Sequence, residues 1–348
     1  MKIEENVDLS DLTSFGAGGK ADKLITVDKT EELATALNTC ETPIWFLGSG
    51  ANTLISDDGL GGTVVKLNTH NIEMQEKLFV ADAGVEWDEL VKQSISAGLW
   101  GLERMSGIPG TVGAAVVGNI AAYGQAVADT LKWVEVVNVK GKNAESRKIK
   151  ASELDFGYRF SKFQTKEFEN LIVIRVAFEL QSDLKPLEYA KALEVAKDLE
   201  LDPSDLKQRR KIILEARRRA GSLWEDNNHS KTAGSFFRNP EVSADVAEKI
   251  MEFDESKTST EDIKKQNQVH SGSVTRVSAS HVLLAAGFRR GQSWGPVRLH
   301  PDHVLKIENA GDATSQQIYD VQKEIIETVK TKLGITLVPE VRFLGHFN

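Results

Sequence analysis

"GIPGTVGAAVVGNIAAYG" (107–124) contains no charged residue and is rich in glycine and alanine. Its side chains are so small that a large flat ligand can lie against the backbone. A second glycine segment, "GSGAN" (48–52), stands inside "PIWFLGSGANTLIS", which reads as strand, tight loop and second apolar segment. Glycines let backbone N–H groups approach an anion and can take φ > 0. Ser49, Asn52 and Thr53 add side-chain donors. Taken singly, each segment reads as turns and tight packing. Together they read as a cradle for a pyrophosphate and its attached rings.

Two familiar nucleotide loops are excluded. "GSGAN" lacks the third glycine of G-x-G-x-x-G and runs into a strand-like segment, not a helix. "GAGGK" (16–20) has the wrong glycine spacing for a phosphate loop, and alanine follows its lysine.

Outward from these loops, "GTVVKL", "KLFVADAG", "LKWVEVVNV" and "NLIVIRVAFEL" read as strands. "EWDELVKQSISAG" predicts a helix with Trp87, Leu90, Val91 and Ile95 on one face, ending at Gly98. "DKTEELATALNTC" predicts another, with Leu33, Leu37 and Cys40 aligned and Cys40 a small buried hydrophobe. Beyond Gln181 the pattern becomes helical, and Asp202 is expected to cap a helix with Pro203 at its first position. A helix around 244–253 and a loop rich in charge and serine follow. The last helix aligns Ile318, Val321, Ile325, Val329 and Leu333 and stops at Gly334. "ITLVPEVRFLG" (335–345) closes the chain as a strand, with Leu337, Val341 and Phe343 on one side and Glu340 and Arg342 on the other.

The chain has 348 residues, 41% hydrophobic and 27% charged, with a net charge of −8. That acidity argues against general nucleic-acid binding. "KQRRKIILEARRR" (207–219) is the local exception and reads as a solvated helix face. One cysteine excludes an internal disulfide and fits a reducing compartment. No apolar run suits a membrane span, the acidic start does not resemble a secretory signal, and the scattered histidines define no metal site.

"TAGSFFRNP" (232–240) poses a separate question. Phe236 and Phe237 call for burial, and a serine buried beside them costs roughly 1–3 kcal/mol unless something bonds to it. On residues alone, Ser235 reads as a turn or cap serine, and Glu340 as a surface ion pair with Arg342.

"LTSFGAGGKA", "FLGSGANTLI", "GLERMSGIPGTVGAAVVGNIAAYG", "ELDFGYRFSKF", "AGSFFRNP" and "PEVRFLG" resemble, in that order, the motifs of MurB-type UDP-N-acetylenolpyruvoylglucosamine reductases. The match spans nearly the whole chain. The resemblance implies an α+β fold: a two-part FAD-binding domain of the vanillyl-alcohol-oxidase (PCMH) type at 1–182, divided near 70, and an α+β substrate domain at 183–348. The last strand (335–345) would return to the active site. It implies NADPH-dependent reduction of a UDP-sugar enolpyruvyl ether in the cytoplasm, in peptidoglycan precursor synthesis, by a monomer. Flavin would be noncovalent, since neither glycine loop holds a histidine.

Residue by residue, the resemblance makes Arg159, Ser235 and Glu340 catalytic. It puts Gly48, Ser49, Gly50, Ala51, Asn52, Thr53, Ile108, Pro109, Gly110, Gly113, Asn119 and Tyr123 at the cofactor. It puts Tyr158, Tyr189, Arg219, Asn239 and Arg342 at the substrate, Tyr189 marking the longer family type. Two departures stand out: Phe160 follows the Tyr-Arg pair where an aspartate-like residue is common, and the expected diphosphate lysine has no counterpart, leaving Arg219 as its substitute. Two rivals are another noncovalent flavin oxidoreductase of this fold and a non-catalytic UDP-sugar or flavin-binding module. A binding module has no need for Arg159, Ser235 and Glu340 together.

Overall fold

The computed structural model describes residues 1–140, 145–224, 230–252 and 275–348. The expected charged, serine-rich loop lies outside the described residues. The rest forms an α+β chain of two compact units.

The first unit comprises Met1–Val7, Ala21–Ala51 and Leu60–His229. One of its sheets has the strand order Lys2–Asp8, Lys20–Val27, Leu60–Leu67, Ile44–Leu47, and the last two strands each pair in parallel with their neighbour or neighbours. Ile25, Val27 and Val65 from this sheet pack with Leu33 and Ala36 of the helix Leu33–Thr39. Cys40 caps that helix, half-buried at the edge of the same cluster. The second sheet is antiparallel, ordered Ser146–Lys150, Leu131–Asn138, Leu171–Glu179, Leu78–Asp82, Ile72–Gln75. It buries Phe79, Val134, Val176 and Phe178 against the predicted face of the helix Trp87–Ser96, and Gly98 follows at φ 72°.

Helices Ala190–Asp198 and Leu206–Arg219 belong to this unit, not beyond a division at 182. Their packing explains why. Arg210 grips Asp88 through two 2.7 Å bonds, and Arg209 reaches Glu103 at 3.2 Å. The basic stretch is a solvated face only in part: Lys207, Lys211, Arg218 and Arg219 are exposed, whereas Arg209 and Arg217 are buried with Ile212, Ile213 and Ala216. Its helix also starts later than expected. Asp202 forms a local turn with Ser204, and Asp205 supplies the cap by accepting from the Gln208 amide at 2.7 Å.

The second unit comprises Asp8–Lys20, Asn52–Gly59 and Ser230–Asn348. A sheet of Ser293–Trp294, Val297–His300 and His303–Asn309 packs with helices Ala279–Ala285 and Ser315–Leu333. The latter buries Ile318, Val321, Ile325 and Val329 and ends at Gly334 in the left-handed region. The closing strand is shorter than predicted. Only Arg342–Leu344 forms a ladder, parallel to Thr53–Ile55; upstream, Pro339 bridges Phe237 instead, with Arg238 N donating to Val338 O at 2.9 Å.

Candidate active site

In the first unit the two glycine segments meet. A side-chain carbon on Gly48 would lie 3.1 Å from Thr111 Oγ1 and 3.4 Å from Ala114 Cβ. Gly50 (φ 69°) and Gly110 (φ 133°) take conformations that disfavour L side chains. Thr111 caps the helix Val112–Gly118, and Gly113 lets that helix approach Ala83 so closely that an added carbon would sit 2.8 Å from Ala83 Cβ. The backbone N–H groups of Ser49 and Gly50 have no acceptor among the described residues. Orphan amides beside a surface stripped of side chains fit the phosphates and flat rings of FAD. Ile108 packs at the rim of the same core; Pro109 links it to Gly110.

The other end of this helix holds the Arg159 turn. Asn119 donates its amide to Gly157 O at 2.8 Å and accepts from the Ala128 amide at 3.2 Å, so its side chain is engaged within the protein. Ser161 and Gln164 both bond to Val117 O, and Gln164 also donates to Arg159 O at 3.1 Å. Gly157 and Phe160 exchange two backbone bonds of 3.1 Å, leaving Tyr158 and Arg159 at the tip. Phe160 thus closes the turn. Arg159 has φ 52°, a conformation costing an arginine about 1–2 kcal/mol, which the surrounding bonds offset.

Tyr123 and Tyr189 meet edge to face, ring centres 5.1 Å apart. Burial pushes the Tyr123 phenol up to about 12 and raises Tyr189 as well, so both are neutral donors. Arg219 is held on the surface by Glu215 at 2.9 Å and Asp198 at 2.6 Å, so its charge is already balanced.

In the second unit three segments carry the remaining candidates side by side. The Phe236 amide donates to Leu305 O at 2.9 Å, and Phe236 O accepts from the Glu340 amide at 2.7 Å. Asn52 donates its side-chain amide to Glu340 O at 3.1 Å and accepts from the Arg342 amide at 3.0 Å. Thr53 lies opposite Arg342. Ser235 corrects the sequence reading: Phe236 and Phe237 are buried, but Ser235 is exposed. Gly234 at φ 80° turns the chain just before it. Its hydroxyl bonds to nothing among the described residues, so it is neither a cap nor a buried polar group.

Nor does Arg342 pair with Glu340 among the described residues. Crowding by protein atoms and the charge of Arg238 hold its guanidinium below the ordinary range, although part of the side chain still meets water. Asn239 accepts the Ala279 amide at 2.9 Å, anchoring the start of the helix Ala279–Ala285.

Sequence reasoning missed Arg209 and Glu103, and the burial of Arg217. The signal was available: positions 209, 213, 216 and 217 share the stripe that buries the isoleucines.

Residues 21–146 match the FAD binding domain family, and residues 226–344 match the C-terminal domain of UDP-N-acetylenolpyruvoylglucosamine reductase. The reductase of that name from Streptomyces avermitilis is 32% identical, covering 97% of this chain and 93% of its own length. That from Thermobifida fusca is 33% identical, over 98% and 97%. The crystal structure of the enzyme from Thermus caldophilus superposes with a TM-score of 0.67 at 26% identity, over 99% of this chain and all of that one. With relatives this similar along almost its entire length, the chain belongs to the UDP-N-acetylenolpyruvoylglucosamine reductase family.

Proposed function

We propose that Arg159, Ser235 and Glu340 carry the chemistry of an FAD-dependent reductase that converts UDP-N-acetylglucosamine enolpyruvate to UDP-N-acetylmuramate with NADPH, in peptidoglycan precursor synthesis. Family membership supports the reaction. The observation that supports the division of labour is the exposed, unbonded Ser235 hydroxyl, one segment away from the backbone of Glu340.

Bound reduced FAD supplies the hydride that reaches the terminal vinyl carbon. Negative charge then develops on the neighbouring carbon and spreads into the carboxylate. Arg159 stabilises it: its planar fork matches a carboxylate, and a donor placed where charge builds up is worth on the order of 3–4 kcal/mol. Ser235 donates the proton to that carbon. A hydroxyl is a weak acid but an enolate carbon is a strong base, so transfer occurs only as charge arrives. Glu340 assists by orienting a cation that faces the developing charge.

The first unit, with Ser49, Gly50 and the 107–119 segment, holds the flavin without a covalent bond; the second binds the UDP-sugar with Arg342 and Asn239. The enzyme acts as a cytoplasmic monomer. The purified protein should be yellow, release its flavin on denaturation, and oxidise NADPH beyond a single flavin equivalent only when the enolpyruvyl nucleotide is added. Rapid oxygen consumption without that substrate would contradict the assignment.

A further inference from the structure

The segment 230–236 carries Ser235, whose own hydroxyl bonds to nothing among the described residues. The place of that hydroxyl is therefore set by the bonds on either side of it. Downstream, the Phe236 backbone is held twice, by Leu305 and by Glu340. Upstream, Lys231 O accepts from the Asn309 amide at 2.9 Å, and the Ser230 hydroxyl lies 2.9 Å from His300 Nε2. The Thr232 amide donates back to Ser230 O at 2.8 Å, so a shift at Ser230 passes along the chain toward Gly234 and Ser235.

His300 ends the strand Val297–His300 and is 7% exposed. Its Nδ1 accepts the Asp302 amide at 3.1 Å, so the ring proton sits on Nε2 and is donated to Ser230. This tautomer rules out a Ser-His-Asp nucleophile. The nitrogen facing Ser230 holds a proton instead of accepting one, and the exposed Asp302 carboxylate stands 3.9 Å from Nδ1. The contribution of the ring is positional. Around it lie Arg298 on its own strand, Asp302 in the turn, and Lys306 and Glu308 on the partner strand His303–Asn309, with His303 opposite it in the ladder. Lys231, beside Ser230, lays its side chain against Gly16. Burial holds the imidazole below its ordinary 6.5; Lys306 and Arg298 act in the same sense, Glu308 and Asp302 against it. A second proton would go to Nδ1 and meet the Asp302 N–H head-on. That bond would be lost, the ring would turn, and Ser230 would lose its donor.

We propose that neutral His300 is a positioning residue for the proton-delivering step: it fixes the start of the Ser235 segment through Ser230, and its protonation slows reoxidation of the flavin by the enolpyruvyl nucleotide without slowing flavin reduction by NADPH. The proposal rests on the reading of Ser235 as proton donor given under Proposed function.

The test follows the two half-reactions separately by stopped flow between about pH 5 and 8. The full-length proteins are wild type, His300→Gln, His300→Phe and Ser230→Ala. Wild-type reoxidation should fall toward the acid end, and flavin reduction should lack that limb. His300→Gln keeps an N–H within reach of Ser230 and does not titrate, so it should recover most of the rate and lose the acid limb. His300→Phe and Ser230→Ala should each reoxidise about 10–100-fold more slowly at the alkaline end, the scale of a small misplacement of a reacting group. Flavin reduction in both should stay near wild type, and hydrogen exchange at 230–236 should quicken. An acid limb that survives in His300→Gln would overturn the proposal. So would equal slowing of both half-reactions in His300→Phe, which would mark the ring as core filling. Wild-type reoxidation in Ser235→Ala would instead refute the donor assignment. Exchange at 230–236 then still decides about His300: quickened exchange in His300→Phe would show the hold on the segment, and unchanged exchange would refute it.

Discussion

Asn52 and Glu340 stand 288 residues apart in sequence and are joined by a 3.1 Å hydrogen bond from the Asn52 side-chain amide to the Glu340 carbonyl. The Asn52 carbonyl accepts from the Arg342 amide, so one loop residue fixes both ends of the Glu340–Arg342 segment. Asn52→Ala removes the side-chain bond, which is worth about 1 kcal/mol. Hydrogen exchange should quicken at Arg342–Leu344, and turnover should fall more than global stability does. Unchanged exchange there would mean the ladder with Thr53–Ile55 suffices alone.

Arg159→Lys keeps the charge and loses the bidentate fork. Turnover with the enolpyruvyl nucleotide should slow while flavin reduction by NADPH stays near wild type. Equal slowing of both half-reactions would point to a collapsed Gly157–Phe160 turn instead.

Tyr123 gives the protein an alkaline limb. Its folded pKa is raised to about 12, above the 10.0 of a free phenol, by burial first and the neighbouring Tyr189 against the opposing pull of Arg217. The folded state therefore holds its proton where the unfolded chain has lost it. The stability this contributes is full below pH 10 and disappears as pH rises through 12, up to roughly 2–3 kcal/mol. Tyr123→Phe should flatten the fall in urea midpoint across that window. An identical alkaline limb in the variant would assign it to another group.

Glu103 is fully buried and accepts from Gly101 N, Gln125 Nε2 and Arg209 Nη1. Glu103→Gln strands the buried Arg209 charge and should cost about 3–5 kcal/mol. Adding Arg209→Met should recover much of the loss in a double-mutant cycle. Additive losses would show that the two residues are not energetically coupled.

These ion pairs mark the limit of what the sequence discloses. Helices Trp87–Ser96 and Ser315–Leu333 were legible because one apolar stripe and one terminal glycine define each. The helix Leu206–Arg219 was legible only on its outer side, because its inner arginines look as solvated as the rest in a list of charges; their burial depends on partners such as Glu103 and Asp88, over a hundred positions away. The start at Asp205 rather than Asp202 turned on a local serine bond. The two glycine segments were legible as ligand-binding material, but their meeting at Gly48 and Thr111 is a tertiary fact. The closing strand kept its alternation but switches partner, bridging Phe237 at Pro339 before it pairs with Thr53–Ile55 from Arg342 on. Ser235 had its neighbours correctly read as buried, yet Gly234 takes the serine itself to the surface.

The role of Ser235 as proton donor is the central claim, and stopped-flow reoxidation of pre-reduced Ser235→Ala by the enolpyruvyl nucleotide tests it most directly. The substitution deletes an exposed hydroxyl with no partner among the described residues, so flavin content, melting temperature and reduction by NADPH should match wild type. Reoxidation should be slower by about 10²–10⁴-fold, the usual contribution of one general acid, and Ser235→Cys should retain more activity than Ala. Reoxidation of Ser235→Ala at the wild-type rate would contradict the account.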